Sequence, residues 1–158
     1  MTGALSLASY SDLGIEWMAQ RVPGWNPSSR LERLDRNCQA LGLPDEVMVE
    51  LYLQIEEPTC PYIPNVFDCE NFSRYYAARV AELWGRLVSK GRVPEKCILA
   101  HGAIFGRIPA GEGAVSNHAE CFFFNDRNEF RMFDPQTRLL VSRESVARIE
   151  QVWTLEMH

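Results

Sequence analysis

The stretch DCENFSRYYAARVAELWGRLVSKG, residues 68–91, decides the fold that we expect for this chain. Its apolar residues lie three or four positions apart, which predicts an amphipathic helix, and they are Phe72, Tyr76, Val80, Leu83 and Leu87. Asp68 can cap this helix, which makes Cys69 its first residue, and Gly91 can end it. The segment is the longest periodic one in the chain, so we expect it to be the central helix.

The sequence on either side of this helix changes in character. The first 57 residues have helical patterns, with helices predicted over 12–21 after a Ser11 cap, from Ser28 or Ser29 to Leu41, and from Pro44 through Ile55. Three prolines make residues 58–67 an extended or looping connection. Strands are predicted over 97–108, 118–124 and 130–133, and more weakly over 139–141 and 152–157.

This order predicts one α+β domain over residues 1–158, with a helical N-terminal subregion at 1–57 and a core at 58–158. In that core the central helix, with Cys69 at its N-terminus, would pack on an antiparallel sheet. The oligomeric state is left open.

Charge and composition restrict the partners and the compartment. A net charge of −5 disfavours nucleic acid or an anionic membrane as the main partner. The sequence has no apolar run of roughly 20 residues and no secretory pattern at its start, so we expect a cytoplasmic protein. In that reducing compartment the five cysteines would be thiols, and their odd number leaves at least one outside any internal disulfide.

Cys69 is the cysteine whose position suggests chemistry. The unpaired N–H groups and the positive end of a helix dipole stabilise a thiolate, the nucleophilic form of the side chain. The negative charges of Asp68 and Glu70 oppose this effect. The alternative is a cysteine selected for its size at a crowded helix start.

His118 is the best candidate for a base among three histidines, because it opens an apolar strand after a glycine-rich loop at 111–113. His101 has the context of a structural histidine, and His158 is the last residue. A turn near 125–128 then returns the chain. A three-residue loop would place Asp134 opposite His118, whereas a loop one residue longer would turn Asp134 to the other face. The alternative for Asp134-Pro135 is simply the start of a turn.

Three motifs together resemble the transglutaminase-like and papain-like cysteine hydrolase superfamily, and most closely the cysteine-protease domain of mushroom-agglutinin-type lectins. They are DCENF at 68–72, NHAECF at 117–122 and FDPQT at 133–137. The aromatic residue that many relatives carry soon after the histidine is replaced here by Glu120-Cys121.

The resemblance implies a papain-like or transglutaminase-like core and a Cys-His-Asp catalytic triad of Cys69, His118 and Asp134. The thiol of Cys69 would attack an acyl carbon, His118 would carry the proton, and Asp134 would orient His118. The activity would be that of a thiol protease, an amidase or a transglutaminase-like acyltransferase, acting on an amide or thioester bond of a peptide, a protein or a small amide.

The resemblance leaves open which residues stabilise an oxyanion and whether an ion binds. The candidates for stabilising an oxyanion or positioning a substrate are Gln54, Asn65 and Gln136. The chemistry requires no cofactor, although calcium, which agglutinin-type relatives use, could bind surface acids.

Two other classes compete with the hydrolase. One is a catalytically silent binding module that keeps the fold and uses the cleft for recognition. The other is a zinc site made from two spaced pairs, Cys97 with His101 and His118 with Cys121. Strand geometry disfavours zinc, because four residues along a strand separate side chains by roughly 13 Å and three residues place them on opposite faces.

Overall fold

A computed structural model describes residues 8–33, 38–65, 67–93 and 97–158 of the chain. Over these ranges it has nine strands: β1 (Ala8–Tyr10), β2 (Arg30–Arg33), β3 (Gln39–Gly42), β4 (Cys97–Leu99), β5 (His101–Pro109), β6 (Val115–Phe124), β7 (Phe130–Asp134), β8 (Leu139–Leu140) and β9 (Gln151–Met157). The same ranges contain four helices: α1 (Asp12–Ala19), α2 (Asp45–Leu53), α3 (Cys69–Ser89) and α4 (Arg143–Val146). None of these helices is long and apolar enough to cross a membrane.

The strands form two sheets. The larger has the order β2-β9-β5-β6-β7-β8, and the smaller has the order β1-β3-β4. Most neighbours are antiparallel, but β2 runs parallel to β9 and β3 runs parallel to β4. The predicted α+β class, with a helical N-terminal third and one antiparallel sheet, is therefore wrong. The described part of the chain is mostly β, with nine strands in two sheets and few helices.

The error lies mainly in the helix predicted from Ser28 or Ser29 to Leu41. The described part of that segment forms β2 and β3, while Leu34 lies outside the described residues. Leu31 pairs with Leu155 at the far end of the chain. A spacing of three and four residues fits a helix locally, but pairing with a distant strand determines the structure here.

The local helix signals elsewhere are confirmed. Ser11 caps α1 by accepting a hydrogen bond from the N–H of Gly14, and Pro44 precedes the first residue of α2. Asp68 caps α3 in a capping box with Asn71. Gly91, with φ 64°, follows the end of that helix in the left-handed region.

Apolar side chains fill both faces of the larger sheet. Alternate residues of β6 point to opposite faces, so Phe122 packs with Ile104 and Met132, whereas Phe123 lies on the other side. On that second side α2 and α3 cover the sheet, and its largest fully buried rings are Tyr52, Tyr76, Phe123 and Phe133. This packing fixes the N-terminus of α3 against β5 and β6.

Candidate functional site

Cys69 is the first residue of α3, and its side chain is half-buried. It packs against Ala103, Phe105 and Ala119 of the larger sheet. Its amide belongs to the first helical turn, in which N–H groups have no acceptor within the helix. One of the flanking acids is engaged in the cap, because Asp68 Oδ1 accepts a hydrogen bond of 3.2 Å from the N–H of Glu70. The structure therefore places the thiol at a helix N-terminus, beside the sheet.

His118 lies on β6 and is hydrogen-bonded to Cys69. Its Nε2 is also 3.5 Å from Oε1 of Glu120. Burial opposes the charged form of the imidazole, but the hydrogen bonds to Cys69 and Glu120, together with their charges, raise the pKa of His118 from 6.5 to about 9. At neutral pH the ring is therefore a cation held between a thiol and a carboxylate.

Glu120 is the residue that the sequence argument did not assign to the site. It follows His118 by two positions on one strand, so the two side chains share a face of β6. Its side chain is fully buried, and its Oε1 accepts a hydrogen bond from the N–H of Gly111. Burial raises its pKa, the hydrogen bonds to His118 and Gly111 lower it, and the charge of Asp134 raises it further. Strand alternation was the signal that could have identified Glu120.

Cys69, His118 and Glu120 thus form a continuous set of contacts, which we call the thiol–imidazole–carboxylate row. The β6–β7 ladder ends at the pair of Cys121 and Phe133, so His118 lies beyond its end. The His118 side chain keeps 12% of its surface exposed, and Cys69 is half-buried. The row can therefore be reached from solvent at its Cys69 and His118 end.

Asp134 lies beyond Glu120 rather than opposite His118. The hairpin loop contains five residues, because Phe124 pairs with Phe130 and Cys121 pairs with Phe133. The odd length keeps Asp134 on the face of His118, but continuing this register places Asp134 opposite Glu120. The structure thus brings Cys69 and His118 together and separates Asp134 from them by Glu120.

The carboxylate of Asp134 is occupied in a turn. Its Oδ1 accepts a hydrogen bond of 2.8 Å from the N–H of Gln136, and its Oδ2 accepts one of 2.8 Å from the hydroxyl of Thr137. This is the turn considered as the alternative for Asp134-Pro135.

The five-residue loop has a physical cause in Asn125. Its side-chain oxygen accepts hydrogen bonds from the N–H groups of Arg127 and Glu129, and its amide nitrogen donates to Asp45 on α2. Asn128 adopts a φ of 63°, which closes the turn. The contact with Asp45 is long-range, and for this reason the exact loop length could not be read from the turn residues alone.

The remaining candidate residues lie apart from the row. Gln54 is exposed at the end of α2 and lines a groove with Arg79 and Glu82, about 15 Å along α3 from Cys69. Asn65 is exposed in the proline-rich connection with φ 61°. The side chain of Gln136 is exposed, while its N–H binds Asp134.

The two proposed zinc pairs are not brought together. The thiol of Cys121 is buried and lies 3.5 Å from the carbonyl oxygen of Ser73, while His118 contacts Cys69. His101 is fully buried on β5. Over the ranges that the structure describes, no group of three or more His, Cys, Asp or Glu side chains is placed to hold a metal ion.

Comparisons with known proteins place this geometry on a known fold. No family model and no curated protein matches the chain. Solved structures do match, among them a complex of PSL1a with E64, with 15% identity and a TM-score of 0.71 over 94% of this chain and 51% of that one. Another is Polyporus squamosus lectin bound to the human-type influenza-binding epitope Neu5Acα2-6Galβ1-4GlcNAc, with 19% identity and a TM-score of 0.59 over 81% of this chain and 43% of that one.

The likeness is one of fold. The chain spans about half the length of each of these matched chains. The predicted resemblance to the transglutaminase-like and papain-like cysteine hydrolases is wrong, because the matching structures are those of a lectin. The predicted protease, amidase or acyltransferase activity is wrong for the same reason. These neighbours also give no support for the expected peptide, protein or amide substrates.

Proposed function

We propose that the chain is a non-catalytic binding module whose ligand site is the thiol–imidazole–carboxylate row. The observation that carries the proposal is the His118 imidazole, hydrogen-bonded to Cys69 on one side and lying beside the buried carboxylate of Glu120 on the other. The fold neighbours support a binding role, since one is a complex with E64 and the other is a lectin bound to a glycan.

The row offers donors to a ligand rather than acceptors. With a pKa of about 9, His118 carries a positive charge at neutral pH and keeps part of its surface exposed. The free N–H groups of the first turn of α3 lie at the N-terminus of the helix. The helix dipole favours negative charge at the same place. A ligand with an anionic or carbonyl oxygen near Cys69 would receive hydrogen bonds from both sources. Glu120, with Oε1 3.5 Å from Nε2 of His118, holds the imidazole in place on the buried side of the row.

Binding of E64 tests this proposal directly. Calorimetric titration of the wild-type protein is expected to show one site, and Cys69→Ser or His118→Gln should weaken the affinity about tenfold or more, as expected for the loss of a charge-assisted hydrogen bond. Cys60→Ser is the matched control, because Cys60 is a half-buried cysteine in the proline-rich connection. Its affinity should equal that of the wild type. Equal binding by Cys69→Ser, His118→Gln and the wild type would refute the assignment.

The trisaccharide and a turnover assay complete the test. If Neu5Acα2-6Galβ1-4GlcNAc binds this chain, the proposal predicts that the same two substitutions weaken it, whereas binding that survives both would place the ligand elsewhere. Hydrolysis of a peptide library by the wild type and not by Cys69→Ser would contradict a purely binding role.

A further inference from the structure

A cavity of about 310 Å³ lies beside Gly111 and Asp134, apart from Cys69 and His118. The loop at 110–113 forms one wall, and residues 139–141 form the other. Asp134 and Thr137 lie at its polar end. The row leading to Cys69 does not line this cavity, so its properties are separate from those of the proposed ligand site.

The walls of the cavity are suited to a hydrocarbon chain. Leu139 is 64% exposed at the rim, Leu140 is half-buried, and Val141 is buried. Such an exposed leucine beside two further apolar residues gives a short aliphatic chain a surface to cover.

Gly111 packs against the carboxylate of Asp134 at the polar end of the cavity. A Cβ atom at this position would lie 2.7 Å from Oδ2 of Asp134, and the residue has a φ of +56°. Only a glycine fits this close to Oδ2, so the loop at 110–113 lies directly against Asp134. Its N–H meanwhile donates to Glu120, which holds the loop in this position.

The charge around the cavity is negative. Asp134, which is only 5% exposed, forms no ion pair among the residues that the structure describes. Glu120 lies close enough for the charge of Asp134 to raise its pKa, and its buried Oε2 has no hydrogen-bond partner within the described ranges. Arg148, on the loop side, donates to the carbonyl oxygens of Glu112 and Gly113. A cationic ligand would balance this charge.

We propose that this cavity binds a primary alkylammonium group. The aliphatic chain lies along Leu139 and Val141, and the ammonium donates hydrogen bonds to Asp134 at the polar end of the cavity. A lysine side chain or a free aliphatic amine has this chemistry, and both would be recognised in the same way.

Titration with n-pentylammonium, followed through the NMR shifts of the Gly111 and Leu140 amides, tests the assignment. We expect saturable shifts, at least about fivefold weaker binding of n-pentanol, and no binding of pentanoate, because the charge carries the recognition. Asp134→Asn, whose Oδ1 can still accept from the N–H of Gln136 while its Nδ2 donates to the hydroxyl of Thr137, should reduce the affinity about tenfold. Equal affinities for the amine and the alcohol, or unchanged binding by Asp134→Asn, would overturn the proposal.

Further variants keep the result interpretable. Leu139→Ala changes an exposed residue and should weaken the amine about threefold without affecting folding. Leu53→Ala, at a 47% exposed leucine outside the cavity, is the matched control and should bind as the wild type does. Cys69→Ser should also bind the amine normally, so failure of the E64 experiment and failure of this one are distinguishable.

Discussion

Alkylation of Cys69 by iodoacetamide near pH ~7.5 is expected to slow at least about tenfold when His118 is replaced by glutamine. The thiolate is the form that reacts. In the wild type the Cys69 side chain is hydrogen-bonded to His118, which carries a positive charge at neutral pH. Glutamine can donate a hydrogen bond but carries no charge. The rate is measured by quenching samples over time and mapping the modified peptide by mass spectrometry.

The other cysteines provide the internal control for this rate. Cys121 is fully buried, and burial raises the pKa of its thiol well above the usual range, so it should remain unmodified in the folded protein. Cys60 should react at the same rate in the wild type and in His118→Gln. A Cys69 rate that is unchanged by the substitution would show that the imidazole does not act on the thiol.

Replacement of Phe133 by alanine is expected to lower the free energy of unfolding by about 3–5 kcal/mol. Phe133 is fully buried, and its ring stacks on that of Tyr52 with centroids 4.4 Å apart and an interplanar angle of 7°. The same ring contacts Tyr76 of α3 at 6.5 Å. The substitution leaves a cavity at the point where α2, α3 and β7 meet, so packing on both helices is lost.

Urea denaturation at fixed pH measures this effect. Phe133→Leu retains most of the apolar volume and should cost clearly less than Phe133→Ala. Leu139→Ala, at an exposed position, should change the free energy of unfolding by no more than about 0.5 kcal/mol. A loss below about 1.5 kcal/mol for Phe133→Ala would mean that α2 and α3 do not depend on this ring.

Local signals were sufficient for much of the secondary structure. The capping box at Asp68, the apolar stripe of α3 and the glycine that follows it are all contained within residues 68–91. The strands after residue 97 likewise carry their own apolar and β-branched residues. The sequence around 28–41 has no such consistent signal, because β2 depends on pairing with β9 at the other end of the chain. Pairing of that kind cannot be read from a window of neighbouring residues.

In the candidate site, too, local features could be predicted from the sequence and long-range contacts could not. The hairpin argument placed His118 and Asp134 on one face only for an odd loop, and the observed loop of five residues is odd. The loop length, however, depends on the hydrogen bond from Asn125 to Asp45, which lies far away in sequence. The two additional loop residues shift Asp134 along the ladder, and Glu120 contacts His118 instead. The family was mistaken for a different reason, because short motifs around Cys69 and His118 do not specify the surrounding topology.

Titration of His118 by NMR tests the central claim most directly. The row predicts a pKa of about 9 for the imidazole in the wild-type protein, because the hydrogen bonds and charges of Cys69 and Glu120 outweigh the effect of burial. Because this pKa lies above 6.5, the ring should stay protonated at neutral pH and lose its proton only as the pH rises toward about 9. Glu120→Gln should lower the pKa of His118 by removing the negative charge beside the ring. A wild-type pKa at or below 6.5 would contradict the account, since His118 would then be a neutral, buried histidine without its proposed partners.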